Sequence, residues 1–86
     1  MGVDLEFELK YILSDALGKE VEVKILSFDS STGELCIEID GKKVCSVFKQ
    51  CKGLDQAKAL RCVAKALSGS EKAVSELVEK VKAVLG

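Results

Sequence analysis

Cys36, Cys45, Cys51 and Cys62 are the residues most capable of chemistry in this 86-residue chain. A thiolate can attack an electrophile, hold a soft metal or pair as a disulfide. Eight, five and ten residues separate the four in turn, so no pair shows the short knuckle of a structural zinc site. A four-thiolate centre would need Cys36 and Cys45 to meet Cys51 and Cys62 from distant parts of the fold, and neither a metal nor a cofactor is expected. The N-terminus lacks a basic region followed by an apolar run, which sets the expectation of a cytoplasmic protein whose cysteines are thiols serving as small hydrophobes. The sharper alternative is a Cys36–Cys45 disulfide. Cys51 and Cys62 stand about three helical turns apart if a helix begins near Leu54, at ~1.5 Å per residue, so a bridge between them needs the intervening loop to fold back.

Other chemistry is sparse, because the chain contains no His, no Trp and no Pro. Without imidazole, a cysteine nucleophile has only Lys52 or Lys58 near Cys51, and Arg61 or Lys65 near Cys62, to favour its thiolate, and none of these is an oriented base. Carboxylates alternate with lysines as in solvated ion pairs, and the glycines are isolated, so no phosphate-cradling loop is present. No enzymatic activity is expected. Lys58, Arg61 and Lys65, with Lys52 nearby, form one basic stripe at helical spacing. A solvated helix face is the preferred account of it, because Asp55 and a net charge of −1 oppose nucleic-acid binding.

These residues must be positioned by short, regular elements. Residues 3–17 read as a helix in Leu5, Leu9, Ile12, Leu13, Ala16 and Leu17, although Val3, Leu5, Phe7, Leu9 and Tyr11 also alternate like a strand. Asp4 as N-cap, Glu6 and Glu8 in the first turns, and Gly18-Lys19 as a stop favour the helix. Val3, Phe7 and Tyr11 then form a second apolar stripe, expected to lie under the last helix; a partner surface is the other reading. Residues 20–28 alternate as a strand until Ile25-Leu26, which suggests a bulge or a strand covered on both faces. Asp29 to Gly33 is a turn into a second strand over 34–40, and Asp40-Gly41 is a two-residue hairpin loop into a third over 42–50. That loop pairs Ile39 with Lys42, Glu38 with Lys43, Ile37 with Val44, and Cys36 with Cys45. Leu35, Ile37, Ile39, Val44, Ser46 and Phe48 should face the helices, and Cys36, Glu38, Lys43, Cys45, Val47 and Lys49 the opposite side. From Leu54 the period becomes helical, with Ala57, Leu60, Val63, Ala64 and Leu67 on one stripe. Ser70 caps a last helix whose apolar face is Val74, Leu77, Val78, Val81, Val84 and Leu85.

The order helix, three strands, helix, with Ala57-Lys58 through Ala64-Lys65-Ala66-Leu67 as the closing helix, resembles the double-stranded-RNA-binding domains over about residues 3–68. That resemblance implies a structured-RNA-binding module contacting phosphates through Lys52, Lys58, Arg61 and Lys65. At the family's basic cluster this chain has Leu54, Asp55 and Gln56. The missing Pro, His and Trp, the Asp-Gly hairpin, the Gly helix stops and the run Ser75-Glu76-Leu77-Val78-Glu79-Lys80-Val81-Lys82 resemble de novo designed α/β proteins, which implies a scaffold without natural function. The expectation is therefore a single α+β domain of two layers, ordered α-β-β-β-α-α, with a three-stranded antiparallel meander covered on one face by helices. A non-catalytic scaffold or protein-interaction domain leads the functional reading, with a protein partner or none. A monomer is expected over a dimer, and no membrane association.

Overall fold

The computed structural model describes residues 5–86 and shows the expected order: α1 (Leu5–Leu17), β1 (Val23–Asp29), β2 (Glu34–Ile39), β3 (Lys42–Val47), a 3-10 turn (Lys49–Cys51), α2 (Gln56–Gly69) and α3 (Glu71–Leu85). Val3 and the proposed cap Asp4 lie outside the described residues. The first element is a helix. Leu5, Leu9 and Leu13, one turn apart, are buried together, and the chain leaves the helix at Gly18 with φ +73°.

The strands form one antiparallel sheet in the order β1-β2-β3. Asp40 (φ 49°) and Gly41 (φ 83°) both take the left-handed conformation of a two-residue hairpin. This fixes the β2–β3 register as expected from the loop, with Ile39 opposite Lys42, Ile37 opposite Val44 and Cys36 opposite Cys45. Between β1 and β2 the register shifts at Ile25/Ser27, so Leu26 is the extra residue and bulges outward, exposed. Strand β1 starts at Val23 rather than Glu20. The preceding Val21 is nevertheless buried, and Glu22 exchanges hydrogen bonds with Asp40 through its backbone oxygen and N–H.

Leu35, Ile37, Ile39, Val44, Ser46 and Phe48 are all buried on the inner face, where α1, α2 and α3 supply Leu5, Leu9, Leu13, Val63, Leu67, Leu77 and Val81 to one core. The outer face carries three cross-strand rows in register: Lys24, Glu38 and Lys43; Ser27, Cys36 and Cys45; Asp29, Glu34 and Val47. The opposite charges of the first row suit a solvated surface. Both sheet edges are tied to helices. The Glu6 carboxylate of α1 accepts from Ile25 N at 2.8 Å on the β1 edge, and Lys80 Nζ of α3 donates to the Cys45 carbonyl at 3.4 Å on the β3 edge.

Three expectations are corrected. The third strand ends at Val47, not at residue 50, because Phe48 N donates back to the Gly33 carbonyl (2.8 Å) and the chain then coils into the 3-10 turn. Lys49 therefore leaves the outer sheet face. Ala57 is exposed and Ala59 is buried in its place, since the Asp55 cap sets the helix so that Ala59, Val63 and Leu67 face inward. Helix α3 does not cover Phe7 and Tyr11, which are 69% and 71% exposed. Its stripe Leu77, Val78 and Val81 is buried in the same core as the Leu5/Leu9/Leu13 face, and one helix cannot also reach the opposite side of α1.

The turn between β1 and β2 is built for close approach. Asp29 Oδ1 accepts from Ser31 N (2.9 Å) and Ser31 Oγ (2.6 Å), and these bonds hold its carboxyl below the ordinary value of 3.8. Gly33 has φ +82°, and a Cβ there would sit 2.4 Å from the Phe48 carbonyl oxygen, so the site demands glycine. Gly53 N donates to the Ser30 carbonyl (2.8 Å), which seats this turn against the segment leading into α2.

Candidate functional site

All four cysteines are bridged, which overturns the expectation of thiols. Cys36–Cys45 joins the hairpin across the outer sheet face with Cα atoms 4.0 Å apart, as the register requires of a non-hydrogen-bonded pair. Cys51–Cys62 joins the 3-10 turn to α2 with Cα atoms 5.7 Å apart. The loop does fold back, because the turn over Lys49–Cys51 and Gly53 (φ +84°) reverse the chain before Asp55 caps the helix by accepting from Lys58 N at 2.9 Å. Cys51 is fully buried at 0% exposure, while Cys62 is half-buried. With every sulfur committed to a bond, the oxidised protein offers no thiolate nucleophile and no four-thiolate metal centre.

Lys52, Lys58, Arg61 and Lys65 are all exposed. Spacings of three and four place Lys58, Arg61 and Lys65 on one outer stripe of α2, and Lys52 lies in the connection before it. None of the four is ion-paired among the described residues. At the start of the stripe the Asp55 carboxylate is engaged as the helix cap.

The third feature is the outer face of α1. Phe7 and Tyr11 are the most exposed large apolar side chains among the described residues, and with Lys10, Ser14, Asp15, Lys19 and Glu20 they line a shallow cleft of about 540 Å³. The sequence marked the aromatic stripe but not the charged residues around it: Lys10 and Asp15 follow from helical spacing once the buried leucine stripe has fixed which side of α1 faces out, and Lys19 and Glu20 come from the segment after the helix. Among the described residues Lys10 makes one ion pair, a long one (3.8 Å) with the exposed Glu22, which costs little to exchange. Among the described residues no helix is long and apolar enough to cross a membrane. No protein-family model, no curated protein and no solved structure matches the chain.

Proposed function

We propose that this chain is a non-catalytic, doubly cross-linked scaffold whose contact surface is the outer face of α1, and that the face pairs with a second copy of itself. The carrying observation is the exposed Phe7/Tyr11 stripe with two cations and two carboxylates around it. Such a surface is complementary to its own two-fold mate. With two α1 helices antiparallel and the axis at the level of residues 12 and 13, Lys10 meets Asp15 of the second copy, Tyr11 meets Ser14, and Phe7 lies over Gly18, where no side chain obstructs a ring. A face of this length buries on the order of 1,000 Å² in total, the size of weak assemblies, so association is expected near 10–100 μM. This reading departs from the monomer expectation, and the exposed stripe is what supports the departure. The local regularity of the chain, with each turn and cap suited to its element, also supports a scaffold reading.

Sedimentation across concentrations tests it. Lys10→Glu and Asp15→Lys each create two symmetric like-charge contacts and should each weaken dimerisation about tenfold, roughly 1.4 kcal/mol. An equimolar mixture of the two variants should regain wild-type association, because both cross contacts then have opposite charge. A sample that stays monomeric to millimolar concentration, or variants that self-associate as the wild type does, would defeat the proposal.

Structured-RNA binding is the second reading, supported by the helix-strand-strand-strand-helix order and by four exposed, unpaired cations at and before α2. Binding through that stripe predicts affinity for duplex RNA that falls steeply between 50 and 200 mM salt, by roughly tenfold or more for three or four phosphate contacts. Lys58→Glu with Arg61→Glu should abolish it. Absence of a titratable shift at low salt, or an affinity indifferent to the double variant, removes this reading. The paired cysteines run against the expected cytoplasmic location, since disulfides persist mainly in oxidising compartments and in intracellular proteins of hyperthermophiles.

A further inference from the structure

The Cys36–Cys45 bridge lies beside Glu34 on the outer face of the sheet, and the two sulfurs and a Glu34 carboxylate oxygen all fall within 4.8 Å of one another. We propose that reduction of this bridge uncovers a metal site in which the Cys36 and Cys45 thiolates and the Glu34 carboxylate bind a thiophilic divalent cation, zinc above all. The placement follows from strand geometry. Glu34 and Cys36 are two apart on β2 and so share a face, and the hairpin register sets Cys45 directly opposite Cys36. A tetrahedral zinc with Zn–S bonds of about 2.3 Å holds two thiolates roughly 3.7 Å apart, a separation that side-chain rotation alone gives a cross-strand pair whose Cα atoms are 4.0 Å apart. The Glu34 carboxylate makes no hydrogen bond or ion pair among the described residues, so it is available as third ligand. Water fills the fourth position from the solvent side, where neighbouring Val47 is itself exposed.

Reduction is selective for this bridge. Each bridge pairs a buried cysteine with a half-buried one, Cys36 with Cys45 and Cys51 with Cys62, but Cys51 belongs to the core cluster whereas Cys36 and Cys45 lie on the outer sheet face at an edge strand, where a reductant reaches the bond without opening the core. A dithiol reductant delivers two electrons and two protons to the Cys36–Cys45 bond, giving two thiols while the reductant closes its own disulfide. Metal binding then displaces the two thiol protons. The hairpin remains held by its Asp40-Gly41 turn and its ladder, so the ligands stay in register after the bond opens.

The experiment begins with graded dithiothreitol treatment of the folded protein, alkylation and peptide mapping, which should show Cys36 and Cys45 modified before Cys51 and Cys62. After removal of reductant under nitrogen, cobalt(II) is titrated into the two-thiol protein. The expected result is a thiolate-to-cobalt charge-transfer band saturating at one equivalent, displaced by zinc(II), with zinc slowing alkylation of the two thiols. Glu34→Gln should weaken zinc binding roughly tenfold or more while leaving the order of reduction unchanged, and Cys36→Ser should eliminate the band. Earlier reduction of Cys51–Cys62, no charge-transfer band in the two-thiol protein, or unchanged zinc affinity in Glu34→Gln would overturn the assignment. Since Glu34→Gln removes no core or turn contact, its result does not depend on whether Cys36→Ser folds.

Discussion

Replacing Cys51 and Cys62 together by alanine is expected to lower stability by roughly 3 kcal/mol, the loop-closure entropy restored to an unfolded chain when a cross-link of this span is removed. For a domain of this size each kcal/mol moves the midpoint by about 4–8 °C, so thermal unfolding should shift down by roughly 12–24 °C. The same chain-entropy argument assigns Cys36–Cys45 a nearly equal value, because the sequence separations are 11 and 9. The two bridges should nevertheless differ. Asp40-Gly41 is a turn that unfolded chains already sample, and it brings Cys36 and Cys45 together part of the time without a covalent bond. Nothing local does this for Cys51 and Cys62, which are separated by a reversal at Gly53 and more than a turn of α2. Cys51 is also enclosed in the core, so its truncation leaves a void. Matched urea and thermal unfolding of the two double-alanine variants decides the matter: the Cys51/Cys62 variant should be the less stable, and equal or reversed losses would show that the buried bridge does not anchor the β3–α2 corner.

The contrast between the bridges also explains what the sequence made legible. Cys36 and Cys45 lie within one hairpin, where a two-residue loop and a period of two determine every facing pair, so counting back from Asp40-Gly41 suffices to place the sulfurs together. At Ile25-Leu26 two adjacent apolar residues interrupt the alternation, which left a bulge or a strand covered on both faces, and the register shift with an exposed Leu26 selects the bulge. Cys51 and Cys62 depend on a chain reversal whose residues, Gln50 to Asp55, carry no periodicity. Distance along a helix axis suggested separation, and only the 3-10 turn and the left-handed Gly53 reverse it. Helix α3 was readable as amphipathic but not in its docking site. Its stripe suits either side of α1, and the choice is made by what else needs burial, namely the inner sheet face near β3 and the leucines of α1. The helical spacing marks the Phe7/Tyr11 stripe, but that the stripe is left exposed follows from this tertiary choice and from no local signal.

Ile37→Ala should be among the most costly single substitutions, at about 2–5 kcal/mol, because the side chain is 1% exposed on the central strand and is flanked in register by Ile25 and Val44 on the same inner face. A domain of 86 residues has a total stability of roughly 4–13 kcal/mol, so this one truncation removes a large share and is expected to leave a cooperative but much weakened fold. Glu38→Ala, one residue further along the same strand, changes a side chain on the outer face between Lys24 and Lys43. Its cost should stay within about 0.5–1 kcal/mol, the value of cross-strand charge pairs in water. The ratio of the two losses measures which side of the sheet is covered, independently of either disulfide. Comparable losses at the two positions in urea titrations with unchanged m-values would mean that the helices do not roof the Ile37 face. The outer location of Cys36, Cys45 and Glu34 would fall with it, since one register step exchanges the two faces of β2 as a set.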